Sequence, residues 1–300
     1  MRVLRTPEER FVDLVDFDYR PRYAQVADPD GGSLRMAYVA EGPPDGPPVL
    51  LLHGEPTWSY LYRKVIPPLV RRGLRAVAVD LVGFGRSDKP TDVDAHSFAR
   101  HVEWVRALVF DRLDLRELTV VGQDWGGLIG LRLATENPDR VARVVAANTG
   151  LPTGDTPMPE VWWRFARLVE QAPELDVGTL VAAGCRQPLA EQALAAYRAP
   201  FPDRTYQAGP RAMPRLVPTT PADPAATANR LAWQRLATWH KPFLVAFSDS
   251  DPITGPAAGP LRATVPGARG LNHPTLTDAG HFLQEDAGER LGEIIAEFVP

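Results

Sequence analysis

At 300 residues, with 44% apolar and 23% charged side chains, the chain has the composition of one large globular domain and not of a disordered protein. A net charge of −4, with acidic and basic residues interspersed, argues against nucleic-acid binding. One cysteine, Cys185, excludes an intrachain disulfide and a Cys-rich zinc module. No signal-like or membrane-length apolar run occurs. A cytoplasmic enzyme or binding protein is the resulting expectation, with no nucleic-acid or membrane partner.

Strand and helix signals alternate through the first half. Val49 to Leu52 reads as a buried strand that exits at His53-Gly54. Leu61 to Leu69 has helical spacing, which Pro67-Pro68 should stop. Arg75 to Leu81 reads as a strand leading into Gly83-Phe84-Gly85, and His101 to Leu113 as an amphipathic helix. Leu118 to Val121 is the next buried strand, Gly126 to Glu136 a helix, and Val141 to Ala147 another strand. Strands separated by helices imply parallel pairing, hence an α/β fold with a mostly parallel central sheet flanked by helices.

The pattern changes after Pro152. Helical stretches at Val161 to Glu170 and Leu189 to Tyr197 lie among scattered prolines, with no buried-strand run. The alternation resumes with the strand Phe243 to Phe247 and a last helix from Gln284 to Phe298. The expected organisation is a core in two pieces, residues 1–151 and 225–300, with a helical cap over 152–224 inserted between them.

Ligand sites in open α/β sheets lie beyond the carboxyl ends of the strands. Gly122-Gln123-Asp124-Trp125-Gly126 follows one such strand and has the form of a nucleophile elbow, with Asp in the central place. Its glycines permit a sharp turn, and a carboxylate at the following helix N-terminus stays ionised. The same residues also fit a plain Gly-rich turn with an N-capping Asp. Asp251, beyond a later strand, and His281, before the last helix, complete the order nucleophile, acid, histidine. Asp249 is the other candidate acid; Asp251 stands just before Pro252. The remaining histidines show no metal-ligand spacing, and no phosphate loop or dinucleotide fingerprint is present, so neither metal nor cofactor is expected.

Four segments together resemble the haloalkane dehalogenases of the α/β-hydrolase superfamily. They are His53-Gly54-Glu55-Pro56-Thr57-Trp58, the run from Asp80 to Lys89, the run from Val121 to Gly127, and the run from Asp278 to Glu285. The likeness covers about 45–150 and 240 to the end, and touches the cap at Ala199 to Asp203. It implies that Asp124 attacks a haloalkane carbon and forms an alkyl ester, which water activated by His281 hydrolyses. Asp251 would orient His281. The backbone N–H groups of Glu55 and Trp125 would form the oxyanion hole. Halide would be held by the Trp125 indole and a cap tryptophan, since Glu55 stands where a second subfamily places Asn. Trp162, three residues before Phe165, fits the W-x-x-F pattern, and Trp163 is the alternative.

The partners implied are a halogenated alkane, water and the halide product, acting on a monomer. A related epoxide hydrolase is the runner-up; it would need proton-donating cap tyrosines, for which Tyr197 and Tyr206 are available. A fluoroacetate dehalogenase would carry Arg where Trp125 stands, and a non-catalytic relative would be expected to lack a triad member.

Overall fold

The computed structural model describes residues 1–300. Seven strands form the central sheet: β1 (Arg22–Ala27), β2 (Ser33–Glu41), β3 (Pro48–Leu52), β4 (Arg75–Val79), β5 (Leu118–Gln123), β6 (Val141–Ala147) and β7 (Phe243–Val245). Their spatial order is β1-β2-β4-β3-β5-β6-β7. β4, β3, β5, β6 and β7 pair in parallel, while β1 and β2 add antiparallel pairings at one edge. The runs Val49 to Leu52 and Leu118 to Gln123 are wholly buried, as expected of strands covered on both faces.

The helices are α1 (Ile66–Arg71), α2 (Phe98–Arg106), α3 (Trp125–Glu136), α4 (Glu160–Gln171), α5 (Val177–Ala183), α6 (Glu191–Arg198), α7 (Ala208–Leu216), α8 (Ala226–Leu236), α9 (Ala258–Thr264) and α10 (Leu283–Phe298). None is long and apolar enough to cross a membrane. α4 to α7 follow one another with no strand between them. α8 returns to the sheet layer, where Asn229 Oδ1 accepts from the Arg132 guanidinium of α3 at 3.1 Å.

Several local expectations need correction. Pro67 and Pro68 open α1 instead of stopping a helix, because a helix's first N–H groups have no intrahelical acceptor and proline lacks only that donor. The segment before them, Ser59–Tyr62, is a single 3₁₀ turn. The expected helix His101 to Leu113 begins earlier, with the Ser97 side chain capping Arg100 N–H, and ends as a π-helical stretch over Ala107–Arg112. Phe243 to Phe247 is broken at Ala246; Phe247–Ser248 leaves the sheet to pair with Thr275–Leu276. That departure carries the chain toward the carboxyl ends of the strands, where Asp251 lies.

Candidate active site

β5 runs directly into α3 through Asp124, whose φ of 50° and ψ of −126° are costly for a residue with a Cβ. Two glycines make the turn possible. A Cβ on Gly126 would stand 1.9 Å from the Leu52 carbonyl oxygen, and one on Gly122 would meet the Gly126 and Gly127 backbone at about 2.5 Å. The backbone is held from both sides: Asp124 N–H donates to the Asn148 carbonyl at 2.9 Å, and Thr149 Oγ1 donates to the Asp124 carbonyl at 2.8 Å. The side chain is thereby lifted above the sheet.

The groups expected around Asp124 converge on it. Glu55, just after β3, donates its N–H to Asp124 Oδ1 at 2.8 Å. Trp125 opens α3, so its own N–H has no acceptor in the helix. His281 Nε2 stands 3.6 Å from Asp124 Oδ2, and His281 Nδ1 stands 3.0 Å from Asp251 Oδ2. Asp251 also accepts from Ile253 N–H at 2.8 Å and from the Thr254 hydroxyl. The exposed Asp249 instead accepts from Asp278 N–H at 3.0 Å and Ala279 N–H at 3.3 Å, shaping the loop before His281.

Charge follows this geometry. Burial opposes an imidazolium at His281, but Asp251 and Asp124 outweigh it and raise the pKa to about 10. Burial would likewise raise the Asp251 carboxyl, yet the His281 charge and the hydrogen bonds hold it at about 2. Glu55 goes the other way: burial first, then the neighbouring Asp124 charge, push its carboxyl well above the usual carboxylate range. Its Oε1 is buried without a hydrogen-bond partner. Both effects favour the protonated, neutral form of the side chain.

Two residues that the sequence reading did not assign to the site hold its histidine. Asn148 Nδ2 donates to the Gly280 carbonyl at 2.9 Å and to the His281 carbonyl at 3.0 Å. Gln123 Nε2 donates to the same His281 carbonyl at 3.1 Å and lies 3.2 Å from its ring Nε2. Both sit at the ends of parallel strands, β6 and β5, which was the available signal.

Asp124, His281 and Glu55 open into a cavity of about 750 Å³ between the strand ends and α4. Its walls are largely apolar, with Leu128, Leu151, Phe165, Leu180, Val217 and Phe282 among them. Trp125 and Trp162 both line it and are buried. Trp163 turns outward, 38% exposed, and does not line it. Trp58 and Trp233 spend their indole N–H on backbone carbonyls, whereas no protein group accepts from Trp125 or Trp162. Neither Tyr197 nor Tyr206 lines the cavity. The Tyr197 hydroxyl is engaged by Glu285, which the Arg63 guanidinium also holds at 2.8 Å.

A strained carboxylate, two backbone donors, a histidine–carboxylate pair and free indole N–H groups in an apolar chamber suit displacement of an anionic leaving group. Comparison with known proteins agrees. Residues 47–287 match the family model for the alpha/beta hydrolase fold. The chain is 54% identical over 296 residues to haloalkane dehalogenase 1 of Mycobacterium tuberculosis, covering 98% of this chain and 97% of that one. It is 48% identical over 299 residues to a haloalkane dehalogenase of Psychrobacter cryohalolentis, covering 100% and 98%. A tetrameric haloalkane dehalogenase from Paraglaciecola agarilytica superposes with a TM-score of 0.92 at 36% identity, covering 100% of this chain and 99% of that one. The chain belongs to the haloalkane dehalogenases of the α/β-hydrolase fold.

Proposed function

We propose that the chain carries out its family's hydrolytic dehalogenation with Asp124 as nucleophile, His281 as base and Asp251 as the carboxylate that orients it. The observation that carries this reading is an ionisable carboxylate, not a hydroxyl, on the strained elbow, facing an apolar cavity that holds two free indole N–H groups. An Asp124 oxygen attacks the halogen-bearing carbon in line; the C–X bond breaks with its electron pair leaving on the halide. Trp125 and Trp162 indoles donate to that halide, a role for donor-only groups. Water then attacks the carbonyl carbon of the ester while His281 takes its proton. The N–H groups of Glu55 and Trp125 receive the developing oxyanion. Alcohol, halide and one proton are released.

The charge arrangement times the histidine. In the free enzyme His281 stands between two carboxylates and is held as the cation. Ester formation neutralises Asp124, removes one of those two anions, and frees His281 to act as a base in the step that needs one. The epoxide hydrolase reading has no such support, because its cap tyrosines do not reach the cavity. Residues 152–224 act as the cap that supplies Trp162 and closes the chamber. The expected monomer has a counter-example in the tetrameric relative from Paraglaciecola agarilytica, and light scattering decides the state.

The test is intact mass and peptide mapping of His281→Gln after incubation with 1-bromobutane. A butyl adduct on Asp124 is the expected result. Bromide release by the unmutated protein, without an adduct in the variant, removes Asp124 as nucleophile.

A further inference from the structure

The cavity has an uneven charge distribution. Glu55, Asp124 and His281 lie at its closed end, and one other charged side chain lines it: Arg164. Arg164 sits on the face of α4 that also gives Val161, Phe165 and Leu168 to the wall, and its side chain is 75% exposed. It therefore stands where the apolar chamber meets solvent.

Outside that mouth is a second, shallow hollow of about 500 Å³, lined by Arg164, Arg167, Leu168, Gln171 and Ala172. Arg164 and Leu168 line both, so the shelf adjoins the chamber along α4. The shelf carries excess positive charge. Glu160 is the one carboxylate within ion-pair distance of either arginine, 2.7 Å from Arg167 and 3.8 Å from Arg164. Two cations thus share one anion. Arg211 lies beyond the shelf, donating to the carbonyls of Val169, Ala172 and Pro173 at the end of the same helix, with the Glu174 carboxylate near it. The chain as a whole is acidic, so this preference for anions is local to the mouth.

We propose that this site takes amphiphilic haloalkanes, ω-halogenated fatty acids or their like, with the halogen at the Trp125–Trp162 end and an anionic head group on the Arg164–Arg167 shelf. The inference rests on the dehalogenase reading. Binding an ω-bromoalkanoate in this direction puts its terminal carbon at Asp124 and its methylenes along Val161, Phe165 and Leu168. Its carboxylate then stays hydrated at the surface beside the guanidinium groups, where it loses little solvation. Asp124 forms the ester as bromide leaves with the C–Br electron pair, and water releases the ω-hydroxy acid, bromide and one proton.

The experiment compares ω-bromoalkanoates with the ω-bromoalcohols of equal length from four to twelve carbons, reading bromide release as kcat/KM. The expected result is a preference for the acid that emerges only above a threshold length, reaching about three- to fivefold at low ionic strength, the effect of an exposed ion pair. Arg164→Gln should collapse that acid-to-alcohol ratio toward one, and Arg164→Glu should invert it. As Arg164 is exposed, neither change threatens the fold. Equal rates for acids and alcohols at every length, or an acid preference untouched by both variants, overturn the proposal. Failure to release bromide from any bromoalcohol would instead overturn the dehalogenase reading beneath it.

Discussion

Asp124→Asn is the perturbation that tests how charge is distributed in this site. His281 Nε2 and Asp124 Oδ2 are 3.6 Å apart, and opposite charges at that separation attract by about 5 kcal/mol at an effective dielectric constant of about 20. That is equivalent to between roughly three and four powers of ten in the proton affinity of His281. Replacing the carboxylate by an amide removes it while leaving Asp251 in place, as the alkyl ester would. His281 should therefore titrate near neutrality in the variant, against about 10 in the unmutated protein. Imidazole carbon and nitrogen chemical shifts, followed from pH 5 to 11, read this directly. An imidazole in Asp124→Asn that keeps its proton beyond pH 9 would show that the second carboxylate is not what holds the cation. The sign carries over to stability. A pKa raised in the folded state stabilises fully below the unfolded value of about 6.5, and that contribution is lost as pH rises through about 10. Unfolding of the unmutated protein should thus become easier across that window, and the slope should flatten in Asp124→Asn.

Three further outcomes follow from the geometry. Asp251→Asn leaves the His281 imidazolium with a neutral partner, so hydrolysis of the ester should slow by about 10²- to 10⁴-fold while its formation is less affected; rapid-quench mass spectrometry would show the adduct accumulating. Trp162→Phe should weaken saturable quenching of tryptophan fluorescence by bromide, and Trp163→Phe should not, since only Trp162 faces the cavity; equal effects would contradict that placement as the basis of halide binding. Glu285→Ala should cost about 3–5 kcal/mol in chemical denaturation, because it strands the Arg63 guanidinium in the interior and releases Tyr197 of α6. A change below about 1 kcal/mol would mean that the Glu285 network contributes little to stability.

The parallel core was legible because its strands are buried on both faces and so read as short uninterrupted apolar runs, Val49 to Leu52 and Val144 to Ala147 among them. β1 was not, since Arg22–Ala27 is mostly exposed and has no such run. The elbow could be read from Gly122 to Gly126 because the backbone dictates glycine where another strand approaches within contact distance. Chain order likewise singled out Asp124, Asp251 and His281, since it fixes which strand end each follows. Other features depend on distance through space, which spacing along the chain does not encode. Asp251 and not Asp249 faces His281 because Phe247–Ser248 leaves the sheet and pairs elsewhere. Trp162 and not Trp163 enters the chamber because successive side chains on a helix diverge by about 100°, and only the packing of α4 decides which is turned inward. The Glu55 carboxyl is pushed toward its neutral form by burial and by a neighbour 69 positions away in the chain, a tertiary cause that residue type alone does not encode.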